Sequence, residues 1–375
     1  MRLRSGWTIG MAFFLLLISA EWNRSAALSL LTYNTGGNGA ADWSTNAAQV
    51  QAIGRQMQFL KPDIITFNEI PFEHSGQMTH FVRAFLPDYI LAINSGTDGF
   101  IRSAIISRFP IVRSQKWLDG VSLSAFGYNG AFTRDLFEAE ISVPGFAQPL
   151  HVFTAHLKAG SDADSASRRA AEASAISNFF VNTFLPVKEQ RPYVLTGDFN
   201  EDIQRPPAAS RQAVQRMVNT ATGLRLTTPV NPFNGNDRTL SIRTTLTVRF
   251  DYVLPGALLF SNITSSQVFR TDLLPARPVW LQKFDSVTAS DHLPVFIEFR
   301  NPFDGPFRLT SIEADEQTVT FSWESMPGRI YRVEHSSDFN TWTEISGALT
   351  ATGDRLNWTG PRPFSNRFFR VMREP

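Results

Sequence analysis

No cysteine occurs in the 375 residues, which excludes a thiol nucleophile, a thiolate metal site and disulfide bracing. Any metal must sit on oxygen and nitrogen ligands. Neither sign of charge dominates: 35 basic and 34 acidic residues give a formal +1, so no global attraction to a polyanion exists and nucleic-acid binding needs a local basic patch. A GxxxxGK[ST] phosphate loop, a GxSxG nucleophile elbow and an HExxH zinc motif are all missing from the sequence, which argues against the mechanisms that depend on them. Long apolar runs are scarce as well. The stretch Trp7 to Ala20, preceded by Arg2 and Arg4, is short of the about 20 residues that span a bilayer and fits a secretory leader, with an uncleaved anchor as the competing reading. Cleavage after Ala27 leaves the first strand whole at Leu28, and Ala20 is the other candidate. Residues 1–27 hold three arginines and one glutamate, so their removal takes the formal charge to −1. The expectation is a secreted or periplasmic monomer.

What is present is a series of polar residues at the ends of apolar, β-prone runs. VLTGDFNED, residues 194–202, delivers Asp198 and Asn200 to one face by the period of two. A carboxylate and a carboxamide so placed can hold a hard cation or aim a water. LSLLTYN brings Asn34, PDIITFNEI brings Asn68 and Glu69, FTAHLKAG brings His156, and RFDYVL with ASDHLPVFIEF brings Asp251, Asp291 and His292. Asp251, flanked by Phe250 and Tyr252, needs a partner if buried, and His292 is the natural candidate. Val50, Ile53, Met57 and Leu60 at helical spacing, with Ser44 or Thr45 as a cap and Pro62 beyond, predict a helix between the first two strands. Ala173, Ile176, Phe180 and Phe184 predict another, with Arg169 and Glu172 paired on its surface.

In the order Asn, Glu, His strand, GDxN, DY strand and SDH, these motifs resemble the endonuclease/exonuclease/phosphatase superfamily across residues 28–300. The resemblance implies an α/β fold, a four-layer αββα sandwich of two mixed sheets flanked by helices, and a divalent-metal-dependent phosphodiester hydrolase. On that reading Mg²⁺, or Mn²⁺, is held by Glu69, Asn34 and Asp291. Asp198 orients or deprotonates the attacking water, Asn200 holds water or phosphate, and His156 and His292, the latter oriented by Asp251, share the acid–base work. Arg134 matches a phosphate-gripping arginine of the superfamily. Asn68, Lys158, Arg168 and Arg169 lie beside the motifs, either as substrate contacts or as ordinary charged positions.

Beyond Phe299 the pattern changes. NPFDGP, residues 301–306, reads as a linker. From 307 to 375 Val319, Phe321 and Trp323 alternate, as do Tyr331 and Val333, followed by Trp342 and Trp358. This part resembles a small fibronectin type III-like or immunoglobulin-like β-sandwich with aromatics mainly in its core, and a surface or polymer contact is its expected use. For the substrate, nucleic acid leads, with Arg243 and Arg249 as local positive charge. A phospholipid or sphingomyelin, or a small phosphate ester, is the alternative, because Thr271 to Val287 with Trp280 and Leu281 is apolar enough to meet a lipid surface or to pack on the core. A noncatalytic adhesion protein on the same scaffold is the third reading.

Overall fold

The computed structural model describes residues 28–37, 42–146, 148–188, 191–303, 307–326, 329–361 and 368–374. The predicted leader at 1–27, and residues 304–306 of the predicted linker, lie outside them. Strands covered on both faces need apolar side chains on both, and the sequence supplies them. One sheet contains β1 (Leu28–Asn34), β2 (Ile64–Pro71), β3 (Ile90–Ala92), β4 (Ile101–Ser107), β10 (Ile263–Val268) and β11 (Val295–Phe299), in the order β10-β11-β1-β2-β4-β3. The other contains β5 (Ile111–Trp117), β6 (Leu136–Ile141), β7 (Leu150–Ala155), β8 (Tyr193–Asp198) and β9 (Asp251–Pro255), in chain order. Each sheet is antiparallel except for one pair near its centre: β1 with β2, and β7 with β8. A parallel pair needs a crossover, provided by α1 (Ala48–Leu60) and α3 (Ala163–Phe179).

The inner faces of the two sheets pack through Leu28, Leu30, Ile64, Val152, Val194 and Ile297. The outer face of the first sheet sets Leu31, Ile65 and Phe67 against Ile53 and Met57 of α1 and Phe81 of α2 (Gln77–Phe85). On the second sheet, Phe153 and Leu195 meet Ile176 and Phe179 of α3. These are the four layers expected.

Two helix details differ from expectation. Neither Ser44 nor Thr45 caps α1; the N-cap is Ala47 without a side-chain bond, and Ser44 accepts Ala47 N through its carbonyl at 2.9 Å. The predicted Phe stripe is buried, but α3 gives way to a π-helical turn over Phe180–Phe184. The four-residue steps from Ile176 to Phe180 to Phe184 exceed the 3.6-residue period, and the wider turn keeps both rings on Phe153.

The C-terminal part is all antiparallel. A three-stranded sheet of β12 (Leu309–Ala314), β13 (Thr318–Glu324) and β17 (Arg355–Pro361) faces β14 (Ile330–Ser336) with its partners β15 (Thr343–Glu344), β16 (Leu349–Thr350) and β18 (Phe368–Arg373). Their shared core is Val319, Phe321, Trp323, Tyr331 and Val333, as the alternation predicts. Trp358 stacks on Phe321, while Trp342 lies under the Arg370 guanidinium. The Thr271–Val287 segment divides its roles: Leu281 is buried, whereas Val279, Trp280 and Phe284 face solvent. No helix among the described residues is long and apolar enough to cross a membrane.

Candidate active site

Four strands carry the same gradient toward one end of the sandwich. On the faces that look inward, β1 runs Leu28, Leu30, Thr32, Asn34; β2 runs Ile64, Thr66, Asn68; the β7 strand leads through Val152 and Thr154 to His156; β8 runs Val194, Thr196, Asp198. The contact between sheets therefore changes from apolar to hydrogen-bonded along the strands. Thr196 Oγ1 donates to Thr66 Oγ1 at 2.9 Å. One step further Asn68 bridges the sheets, donating to Ser103 Oγ and Thr154 Oγ1 and accepting Asp198 N at 3.0 Å. The last step is the site, at the carboxyl ends of the parallel strands, where α/β sheets bind ligands.

Glu69 would point away by alternation. A bulge between Phe67 and Ile70 against β4, with Glu69 at φ 61°, turns it back to the site. Asn200, at φ 51°, closes a tight turn by donating its N–H to Asp198 Oδ1 at 2.8 Å. Gly197 is required: at φ 134°, a Cβ there would lie 1.9 Å from the Ala155 carbonyl oxygen. Such left-handed positions for non-glycine residues store strain, and here two of them meet at one centre.

Asn34 Nδ2 donates to Glu69 Oε1 at 3.0 Å and to Asp198 Oδ2 at 2.8 Å. Asp198 Oδ2 stands 3.5 Å from His156 Nε2 and 3.7 Å from His292 Nε2. His292 Nδ1 meets Asp251 Oδ2 at 2.8 Å, the pairing expected, which orients the ring so that Nε2 faces the site. Burial pushes the Asp198 carboxyl up to about 7, against the pull of His292 and with a further push from Asp251. For His292 burial acts downward, but Asp251 and Asp198 outweigh it and raise the imidazole to about 10. His156 goes the other way, held well below its ordinary value by burial, Arg134 and His292. Two imidazoles in opposite protonation states thus flank one carboxyl.

Among the described residues, two groups are placed to hold a cation, Glu69 with His156 and Asp198, and Asp198 with Asp251 and His292, each with ligand atoms within 4.8 Å of one another. The second is already an internal ion pair. The first fits a divalent metal better: both His156 ring nitrogens are buried without a hydrogen-bond partner, and Glu69 reaches solvent.

A sequence profile described as the Endonuclease/Exonuclease/phosphatase family matches residues 31–292, well over half of the chain. The chain belongs to this family. Its fold is that of a phosphoric ester hydrolase, and its acidic and imidazole groups are placed to bind a divalent metal. Comparison with curated proteins finds no match. Among solved structures, the chain is similar to an endonuclease/exonuclease/phosphatase from Beutenbergia cavernae (16% identity, TM-score 0.53, covering 93% of this chain and 100% of that one). Truncated TDP2 from Caenorhabditis elegans (15%, TM-score 0.50, 73% and 97%) and a family protein from Leptotrichia buccalis (15%, TM-score 0.50, 72% and 99%) share the fold. Coverage of 93% exceeds what residues 1–303 alone provide, so the first likeness extends into the C-terminal sheets.

Of the family residues expected from sequence, Asn34, Glu69, His156, Asp198, Asn200, Asp251 and His292 converge. Asp291 does not join either cation group; its Oδ1 lies beside Gly36. Asn34 presents its amide nitrogen, while its oxygen accepts Gly36 N at 2.9 Å, so it orients the carboxylates instead of offering an oxygen ligand. The Asn200 amide is tied to the Leu157 carbonyl at 3.1 Å. Arg134 is 8% exposed: its Nη1 donates to the His156 carbonyl at 2.9 Å and its Nη2 pairs with Asp98 at 2.7 Å. It acts on the site by bracing the His156 segment. Arg249, expected as surface charge, is 2% exposed and lies over the Tyr252 ring, whereas Arg243 is at the surface. Arg169 and Glu172 do not form a surface pair either. Both are buried, because Glu172 accepts Thr133 N and Lys158 N while Arg169 donates to the Lys158 and Gly160 carbonyls.

Sequence reasoning undervalued Asn68, although an amide in a buried strand must find partners. It missed Ser290, which donates to the Asn34 carbonyl and accepts His292 N, and Thr239, whose Oγ1 accepts Phe250 N and Asp251 N.

Proposed function

We propose that the chain is an exported, Mg²⁺-dependent phosphodiesterase that hydrolyses nucleic acid by direct attack of water. The observation that carries this reading is the Asp198 carboxyl set between His156 and His292, with Glu69 on the same side. Phosphodiester hydrolysis needs an activated water, neutralised phosphoryl charge and a stabilised leaving oxygen. Asp198 Oδ2 accepts the proton of the attacking water while Asn34 Nδ2 and Asn200 N hold the carboxyl in place. His292, fixed by Asp251, faces the phosphoryl oxygens and exchanges protons with them, while the unpartnered His156 is left to the cation group it forms with Glu69. Mg²⁺, held through Glu69, would supply charge neutralisation at the phosphoryl group. A covalent serine route is disfavoured, since Ser290 Oγ is buried and engaged on both sides.

Lys158, Arg205 and Arg243 near the site motifs favour a polyanion. Exposed Val279, Trp280 and Phe284 favour the second reading, a phospholipid substrate. Plasmid DNA, sphingomyelin vesicles and bis(p-nitrophenyl) phosphate assayed in parallel separate the two. Hydrolysis of DNA and the soluble diester is expected, abolished by chelation and restored by Mg²⁺ or Mn²⁺. Full turnover in a chelated, metal-free preparation would remove the metal assignment. Turnover of sphingomyelin with DNA untouched would replace the substrate, and Trp280→Ser should then impair activity on vesicles only. Residues 28–300 are the proposed catalytic domain and 307–375 the proposed accessory module. Export rests on the composition of residues 1–27, and N-terminal sequencing of secreted material should begin at Leu28.

A further inference from the structure

A cleft of about 350 Å³ adjoins Asn200, and Phe250, Val248 and Pro207 line it together with Arg169 and Arg205. Its size is at the lower end of ligand clefts, about 300–1,000 Å³. Two acids also line it, but both are engaged. Glu201 accepts the N–H groups of Ala213 and Val214 at 2.8 and 2.9 Å, and Asp202 pairs with Arg238 at 2.8 Å. Of the two arginines, only Arg205 is wholly free. Arg169 is 4% exposed and its Nε has no partner, although its Nη1 holds two carbonyls. The Arg205 side chain is exposed and has no partner among the described residues. The Phe250 ring is half-buried, and its carbonyl accepts Phe199 N at 2.8 Å, so the backbone that carries Asp251 also fixes this ring.

We propose that this cleft is the subsite for the nucleotide next to the scissile phosphate, and that the substrate is single-stranded. The inference rests on the phosphodiesterase reading of the adjoining site. A base stacks or packs on Phe250, and the following phosphate lies against Arg205 with Arg169 behind it. A base reaches such a ring only outside its own stack, and a single strand supplies it there without the cost of flipping it from a duplex, which favours a single-stranded substrate. A choline or ethanolamine headgroup would bring positive charge toward the free Arg205 guanidinium, with Arg169 buried behind it, so the same cleft opposes a phospholipid.

The test uses the full chain. With Mg²⁺, kcat/KM is measured for a short oligothymidylate and for bis(p-nitrophenyl) phosphate, which has neither base nor second phosphate. With chelator, anisotropy of the fluorescein-labelled oligothymidylate is followed from about 50 to 200 mM salt, the range over which phosphate contacts weaken. Arg205→Ala should lower the ratio of the two kcat/KM values roughly tenfold, mainly through KM, and reduce the salt slope by about 0.7, the share of one phosphate on a single strand. Arg205→Lys should restore the slope. Phe250→Leu should raise KM for the oligonucleotide several-fold, in line with the loss of base stacking. An unchanged ratio and slope in Arg205→Ala overturns the subsite, as does failure to bind the oligonucleotide while the small diester is still hydrolysed. If neither substrate is hydrolysed, the phosphodiesterase reading itself falls, and this inference with it.

Discussion

Asp251 is fully buried, and among the described residues its side chain bonds His292 alone. Removing either member leaves the other without function in the site, so their losses should not multiply. His292→Ala and Asp251→Asn are each expected to lower kcat by about a hundredfold or more, the usual scale for acid–base participation, with the double variant costing far less than the product. Strictly multiplicative losses in steady-state assays would argue against the pair. A second buried acid lies outside the site. Asp135 is raised to about 7 by burial, eased by the Gly96 N–H and reinforced by Asp119, and its Oδ2 has no partner. Because the folded state binds this proton more tightly than the unfolded chain, whose value is near 3.8, its contribution to stability falls as pH rises from about 4 to about 7. Asp135→Asn should therefore be more stable than the wild type at pH 8, by on the order of a few kcal/mol, and melt higher, with the difference vanishing near pH 4. Equal melting temperatures at pH 8 would show that the carboxyl carries no such burden.

At the scale of elements, the site depends on how β7 and β8 end together. Gly197 lets the β8 backbone pass the Ala155 carbonyl and so places Asp198 N on Asn68 Oδ1. Gly197→Ala forces either the strands apart or the turn out of its left-handed conformation, at a cost of about 3 kcal/mol or more. Chemical denaturation should register that loss, and activity should fall more than the stability change alone implies. A variant as stable and active as the wild type would mean the strand ends tolerate separation. The bulge at Asn68–Glu69 works similarly: one extra residue on β2 places two neighbouring side chains where alternation allows one.

For the whole molecule, every residue that converges on the site precedes β11 or lies just before it. Asn301 donates to the Gly145 carbonyl at 3.0 Å and Phe303 packs edge-on against Phe146, so the chain is anchored to the sandwich as far as Phe303. Termination after Phe303 is expected to leave hydrolysis of bis(p-nitrophenyl) phosphate nearly unchanged. A loss confined to polymeric or surface-bound substrates would assign the C-terminal sheets an anchoring role. A folded but inactive product would show that the proposed domain division is misplaced.

The amino-acid sequence by itself determined the strands, the two main helices and the chemistry at the strand ends. Period-two burial and 3.6-residue stripes are local consequences of backbone geometry, and polar residues in otherwise apolar runs are visible without coordinates. The polar residues that close four of those strands, Asn34, Asn68, His156 and Asp198, were legible, whereas the Thr step before each shows as a shared gradient only once the strands are aligned. Only the tertiary structure decided which face of each group meets the site. It turned the Asn34 oxygen toward Gly36, committed Arg134 to Asp98 and the His156 carbonyl, buried Arg249 and Glu172, and left Arg205 uncommitted. Such choices depend on partners far away in the chain, Asn34 to Asp198 and Asn68 to Thr154 among them. A buried polar group takes whichever partner packing brings within hydrogen-bond reach, and residue type and spacing along the chain do not specify that partner.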